Sequence, residues 1–492
     1  MIYFKGVLIN FLVLIIHAAA NQEVFEPQSD KTSPFFEKNR IAIIGAGAGG
    51  TSAAYYLQKY SKSGYDITIF EKNSYIGGRS TTINVHNDSR WPIELGASIF
   101  VQENLNLVNA AKEFELNITQ TSIGRVKKAD GVQVPDSIGI WDGKDFVFQV
   151  ASESSWKKIG KLIYQYGLAP IKARRLAKKI IATFIDYYSP AHFPFNDLTG
   201  IAKITGLANI TKYTAYNFLT DTGVGELFVD HLVQAATRAN YAQNIRQIQA
   251  LEAVVCLAAD EGLNIEGGNW RIFDSFAKKS GANIKLDTEV DQINRNGDKW
   301  EVFFNNAVEE FDQVIIAAPY YQTGIKGLSV EVEEVPYVLL YVTLLTSTKR
   351  LSPKYFGTKN GGPVPTYLLT TLPKDFTSHP PPLFNSISIV RYIPQTKEYV
   401  YKIFSLTRIK PQFLQLIFED GAEFNWSYEK IWKPYPVLKP TNQFEKFKLD
   451  NGLWYLNGIE TFISTMETSS LAGANVAALI VGPNNKTIVE VP

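Results

Sequence analysis

A β-branched run, Arg40-Ile-Ala-Ile-Ile, leads directly into Gly45-Ala-Gly47-Ala-Gly-Gly50, and no other feature constrains the fold as tightly. A strand that turns on glycines and passes straight into a helix opens a dinucleotide-binding βαβ unit. Gly45 permits the tight turn, Gly47 lets backbone approach a pyrophosphate, and Gly50 lets helix and sheet pack closely. The phosphates then sit at the positive end of the helix dipole, held by free amides. Thr51 to Tyr60 carries helical spacing, with Ala54, Tyr55 and Leu57 apolar, and Asp66 to Phe70 reads as the second strand. Glu71, 21 residues after Gly50, stands where a carboxylate accepts hydrogen bonds from ribose hydroxyls and repels a 2′-phosphate. The glycines alone leave FAD and NAD open.

Similar signals recur far downstream. Asn283-Ile-Lys-Leu reads as a strand, Trp300–Phe304 and Glu310–Phe311 flank a hairpin at Asn305-Asn306, and Gln313-Val-Ile-Ile-Ala-Ala is a buried strand stopped by Pro319. The chain closes on Leu453-Trp-Tyr-Leu-Asn-Gly and a helix from Glu467 to Ile480. The expected fold class is therefore α/β. A Rossmann-like FAD-binding domain (residues 40–120, 260–330 and 446–482) is interleaved with an α+β substrate-binding domain, largely helical over 121–259 and strand-rich over 331–445. Residues 1–20 read as a signal peptide, 21–39 as a flexible mature N-terminus and 483–492 as a C-terminal tail.

Gly77-Gly78-Arg79 breaks the tie between cofactors. It resembles the flavin-binding sequences of amine oxidase and glutathione-reductase-2 type flavoproteins, in which further glycines approach the diphosphate and an Arg lies beside the flavin. Glu94-Leu-Gly96-Ala97-Ser98 resembles the segment these proteins place near the isoalloxazine. Gly458-Ile-Glu460-Thr461 and Met466-Glu467, continuing to Gly473 and Asn475, resemble their closing motif, where backbone amides and a helix N-terminus stabilise negative charge on the reduced flavin. Val290 is counted in the same cofactor-binding set. FAD is the expected cofactor. Cys256, the single cysteine, lies in the apolar run Val254-Val-Cys-Leu-Ala-Ala, so a buried inert thiol and noncovalent FAD are expected. The absence of a CxxC pair excludes a dithiol flavin reductase.

A net charge of +1 gives no basic surface for nucleic acid. His17, His86, His192, His231 and His379 show no metal-ligand or nucleophile spacing, so no metal is expected. Lys5, the largely apolar run Gly6–Ile16 and Ala18-Ala19-Ala20 form a signal-peptide pattern. Sequons at Asn87, Asn117, Asn209, Asn425 and Asn485 fit the same secretory route. Between Trp156 and Asp186 lie Lys157, Lys158, Lys161, Lys172, Arg174, Arg175, Lys178 and Lys179, interleaved with Ile159, Leu162, Ile163, Leu176, Ile180 and Phe184. Such a segment fits either a solvated helix face with its apolar side inward or a helix lying on a membrane or lipoprotein surface.

From about Arg40 to Val481 the chain resembles the prenylcysteine oxidase (prenylcysteine lyase) family. The resemblance rests on Arg238-x-Asn240-Tyr241-x-Gln243, Glu266-Gly-Gly-Asn269, Val314-Ile-Ile-Ala-Ala-Pro319 and Leu456-Asn-Gly-Ile-Glu460. It implies a lysosomal or secreted glycoprotein with noncovalent FAD that takes hydride from C1 of farnesyl- or geranylgeranylcysteine. With O2 and water the products are a prenyl aldehyde, cysteine and H2O2, as in degradation of prenylated proteins. C1 is allylic and flanked by sulfur, so the cation left there is stabilised by both, and little acid–base machinery is needed. No catalytic residue follows. Lys326 falls loosely where amine oxidases carry a flavin-contacting lysine, and a surface lysine is the alternative. For the substrate, Arg238 is set against the carboxylate, Tyr241 as a pocket wall and Asn269 beside the flavin, against the alternative that all three only cap, pack or turn the chain. Two other functions fit the same motifs: a secreted flavin amine or polyamine oxidase, and a catalytically silent FAD-containing lipid-binding glycoprotein. The sequence assigns no oligomeric state.

Overall fold

The computed structural model describes residues 38–121, 137–150, 155–257, 262–375 and 379–483. The expected leader, nearly all of the 21–39 segment, Asn485 and most of the tail lie outside the described residues.

Side chains that are apolar on both faces make Arg40–Ile44 a central strand. It pairs in parallel with Asp66–Phe70 and with Gln313–Ile316, so that Ile43 lies level with Ile69 on one side and Ile315 on the other. Across the six-stranded sheet the order is Lys448–Asp450, Leu453–Tyr455, Gln313–Ile316, Arg40–Ile44, Asp66–Phe70 and Asn283–Lys285. Three distant stretches of chain thus build one Rossmann-like sheet, whose Lys448–Asp450 edge runs antiparallel to its neighbour. The Asn305-Asn306 hairpin forms, with φ of 47° and 63° at its two residues, as a type I′ turn requires.

Small residues let the first and last helices of this sheet meet. Ala48–Tyr60 and Met466–Val481 approach so closely that a Cβ on Gly473 would stand 2.4 Å from the Gly49 carbonyl oxygen, and Ser52 Oγ lies 2.8 Å from Ser470 Oγ. That contact draws both ends of the chain onto one site.

A second sheet of seven strands stands apart from the first in sequence. Its order is Ser427–Trp432, Leu340–Ser347, Glu398–Ser405, Ser386–Ile393, Tyr367–Thr370, Ile138–Trp141 and Phe146–Val150. It has its own aromatic core, with Trp141 stacked on Phe384. Between the two blocks that supply its strands runs a helical region. The basic stretch within it, expected to be helical throughout, breaks into Ser155–Tyr166 and Ala169–Ile185, because Gly167 takes φ +58° and Pro170 starts a new helix. Asn87, Asn117, Asn209 and Asn425 are all exposed.

Candidate active site

One cavity of about 850 Å³ lies between the two sheets. Its floor is the glycine turn. Gly45, Gly47, Glu71, Gly77, Gly78 and Arg79 line it, and Gly96, Val290, Met466 and Glu467 join them further along. Gly50, Gly458 and Glu460 are not on its surface, and their work is structural. A Cβ on Gly50 would stand 1.9 Å from the Gly45 carbonyl oxygen, and one on Gly458 would stand 2.8 Å from Glu445 Cβ.

The floor fits a dinucleotide by what it lacks. Gly47 caps the Ala48–Tyr60 helix with no side-chain hydrogen bond, and a Cβ there would have nothing nearer than Gly78 Cα at 3.9 Å. Bare backbone at a helix N-terminus is thus open to the cavity, which is what a diphosphate needs. The second glycine pair is tied to the first, since Gly77 N–H donates to the Ala46 carbonyl at 2.9 Å. Glu71 is buried and accepts N–H from Ala46 at 2.8 Å and from Asn73 at 2.9 Å, so its carboxylate braces the turn at the edge of the cavity.

Arg79 and Glu460, 381 residues apart, form a two-pronged ion pair, with one guanidinium nitrogen at 2.9 Å. Glu460 also accepts from Tyr337 Oη at 2.8 Å and Asn457 Nδ2 at 2.5 Å, and Arg79 donates to the Pro434 carbonyl at 2.8 Å. The carboxylate holds the arginine's charge in place, and its field raises the guanidinium's pKa against the opposing effect of burial. Glu467 turns its side chain into the protein. It accepts N–H from Asn106 at 2.8 Å and Leu107 at 3.1 Å, together with the Tyr188 hydroxyl, and burial pushes its carboxyl up to about 7. The N-terminus of its helix, capped by Thr465, still borders the cavity.

The structure moves three expected site residues elsewhere. Arg238 is buried away from the cavity, donating to Thr370 Oγ1 at 3.0 Å and to the Asn244 side chain and Phe384 carbonyl at 3.3 Å, so it ties its helix to the second sheet. Asn269 staples a turn: its Nδ2 donates to the Ala97 carbonyl at 2.8 Å and its Oδ1 accepts from Ile265 N at 2.9 Å. Lys326 is exposed, beside Gln292, and does not reach the cavity. Tyr241 does line it, its hydroxyl donating to the Ser464 carbonyl at 3.1 Å and its ring set edge-on to Tyr435. Cys256, expected to be buried, is half-buried on the cavity wall, and burial together with nearby Glu252 pushes its thiol up.

Two cations absent from the sequence reading reach the cavity from adjacent strands of the second sheet. Lys402 donates to the Glu94 carbonyl at 3.1 Å and Ser98 Oγ at 3.0 Å, and desolvation brings its amine down to about 8. Arg391 has an Nε buried without an acceptor and a pKa lowered by desolvation. The available signal was Tyr399-Val-Tyr-Lys402-Ile-Phe, a strand apolar on both faces with a lysine at its middle. Part of the cavity wall is apolar, formed by Ile180, Ile181 and Phe184 of the basic helix and by Val254 and Leu251.

The prenylcysteine lyase family matches residues 149–490, and an NAD(P)-binding Rossmann-like domain matches residues 43–114. Farnesylcysteine lyase from Arabidopsis thaliana is 29% identical over 464 residues, covering 90% of this chain and 88% of that protein. Prenylcysteine oxidase 1 from Homo sapiens is 28% identical over 476 residues, with the same coverage of 90% and 88%. Among solved structures, a fatty acid isomerase from P. acnes superposes with a TM-score of 0.60 at 15% identity, covering 90% of this chain and 99% of that one. Cyclohexylamine oxidase from Brevibacterium oxydans does so at 0.56 and 14%, covering 90% of this chain and 98% of that one. Both share the fold.

Proposed function

The chain belongs to the prenylcysteine lyase family, and from that premise we propose that it is an FAD-dependent oxidase that cleaves the thioether of a prenylated cysteine. Prenylcysteine, O2 and water give a prenyl aldehyde, cysteine and H2O2. The carrying observation is one cavity lined both by a bare-glycine phosphate floor and by apolar helix walls. Bound noncovalently over that floor, FAD would supply the two-electron oxidation of the allylic carbon next to sulfur, with O2 as the final acceptor.

Everything else falls to the chain. The Gly47 turn and the helix behind it hold the diphosphate, Glu71 the ribose, and Arg79, fixed by Glu460, sets a positive charge beside the cofactor. The N-terminus of the Met466–Val481 helix favours negative charge that develops on the reduced ring system. Arg391, which lines the cavity, receives the substrate carboxylate on its guanidinium, the role first set against Arg238. Lys402 uses two of its N–H groups to hold Glu94 and Ser98 and keeps a third for a ligand oxygen. Ile180, Ile181 and Phe184 take the isoprenoid, worth about 0.8 kcal/mol for each CH2 they bury. The signal-peptide pattern and the four exposed sequon asparagines support a secretory-pathway enzyme, lysosomal or secreted.

Anaerobic S-farnesylcysteine added to the purified holoprotein should bleach the flavin, and air should restore it with one H2O2 and one free thiol per turnover. An amine panel that bleaches the flavin while farnesylcysteine leaves it oxidised sinks this reading.

A further inference from the structure

Outside the cavity, the most unusual surface belongs to the helix pair Ser155–Tyr166 and Ala169–Ile185. Residues 157–179 carry eight basic side chains, and the first acid after them is Asp186. Large apolar side chains stand among them in the open: Tyr164 is 94% exposed, Leu168 62%, Ile159 47% and Ile163 40%. Ile204, 77% exposed, shares a surface depression with Lys179 and Ala182 and extends the apolar patch.

The two faces of the longer helix have different tasks. Ala173, Ala177 and Ile180 are buried and pack inward, while Leu168, Ile171, Arg175 and Lys178 share the outward face. A solvated helix face carries charge without exposed Leu, Ile and Tyr, and an acidic protein or nucleic acid would satisfy the charge but leave those side chains in water. A second copy of the chain would oppose one basic face to another. A surface with anionic groups above an apolar layer satisfies both features. No helix among the described residues is long and apolar enough to cross a membrane, so the fit is to lying on one.

We propose that this helix pair docks on an anionic phospholipid bilayer, with Tyr164, Leu168 and Ile171 in the acyl boundary and Arg175 and Lys178 against lipid phosphates. The inner side of the same helix supplies Ile180, Ile181 and Phe184 to the cavity, so docking sets the cavity's apolar wall directly behind the membrane contact. That second step, delivery of a prenyl substrate from the bilayer, rests on the proposed function; docking does not.

Flotation of the full flavin-loaded protein with phosphatidylcholine vesicles, with and without phosphatidylserine, tests docking without reference to activity. Binding is expected only to the phosphatidylserine vesicles, weakening about tenfold when salt is raised toward 0.5 M. R175E/K178E should lose it, and Y164S/L168S should weaken it several-fold while keeping its salt dependence. Both variants should retain flavin and full turnover of a short, water-soluble prenylcysteine. Equal binding by wild type and both variants, or none to anionic vesicles, overturns the proposal, as does salt-insensitive self-association abolished by Y164S/L168S. Vesicle binding with no turnover of any prenylcysteine leaves docking standing and removes the substrate.

Discussion

At the floor of the cavity a Cβ on Gly47 would meet nothing nearer than 3.9 Å, whereas on the opposite wall Arg391 holds an Nε buried without an acceptor. One region recognises by leaving side chains out, the other by pushing them in. Omission has to be local: the turn works only if glycine occupies particular positions within six consecutive residues, and the carboxylate that serves it follows at the end of the next strand. Insertion has no such restriction. Arg391, Lys402 and Arg79, the last held from behind by Glu460, reach the cavity because two sheets fold around it, from positions hundreds of residues apart.

The floor itself contains a sharper version of this contrast, and it should give the largest effects. Gly50→Ala forces a Cβ to within 1.9 Å of the Gly45 carbonyl oxygen, so the helix must leave the sheet. Little soluble, flavin-loaded protein is expected. Gly47→Val adds its bulk to open space, at a residue whose φ of −82° and ψ of −165° suit a β-branched side chain. It should fold with an ordinary melting temperature and lose FAD affinity about a hundredfold, near 3 kcal/mol. Flavin titration of the apoproteins reads both. Retention of stoichiometric FAD by the Gly47 variant would break the distinction between packing glycine and ligand glycine.

Next in size is the ion pair that joins the two ends of the chain. Glu460→Ala leaves the Arg79 guanidinium half-buried with only the Pro434 carbonyl among its hydrogen-bond partners, a loss of roughly 2–3 kcal/mol. Urea melts should show it, along with weaker flavin retention. Arg79→Met combined with Glu460→Leu should recover part of the stability and none of the flavin affinity, which separates the cost of an uncompensated charge from the role of the charge itself.

Legibility followed the same division. Strand, turn and helix at Arg40–Tyr60 and the closing helix could be read because periodicity and glycine placement are local signals. The basic stretch was legible as helix but not as two helices, because Gly167 is tolerated inside a helix until packing asks it to turn. Arg238 is the instructive miss. An arginine near Asn240 and Tyr241 reads as a carboxylate binder, but a buried guanidinium satisfied by a hydroxyl, an amide and a carbonyl has the same local sequence. Only the second sheet's pairing decides which arginine faces the cavity.

That decision has a kinetic test. Arg391→Gln should raise KM for farnesylcysteine about thirtyfold, near 2 kcal/mol, with kcat little changed, since the carboxylate is bound equally before and during hydride loss. A farnesyl thioether without a carboxylate should not distinguish the variant from wild type. Arg238→Gln should instead lower stability and leave KM alone, and the reverse pattern returns the head group to Arg238.

The smallest effect concerns acid. Burial raises the carboxyls of Glu252, which accepts the Ser464 N–H at 2.9 Å, and Glu467 to about 7, against roughly 4.3 for an exposed glutamate. Between those values the folded state binds more protons than the unfolded chain, so stability falls as pH rises. The contribution is fully present below about 4.3 and gone once pH passes about 7. Lys402, lowered to about 8 by desolvation, acts in the opposite sense and higher up, adding stability as pH rises from there toward the ordinary lysine value. The denaturation midpoint should therefore be higher near pH 5 than near pH 7.5, with Glu252 and Glu467 both contributing to the slope. Glu252→Gln keeps an acceptor for Ser464 and removes the titration, so it should flatten about half of that slope. An unchanged slope would mean that the floor's supporting carboxylates stay ionised in the fold, and that the Ser464–Thr468 segment rests on a charge rather than on a neutral acid.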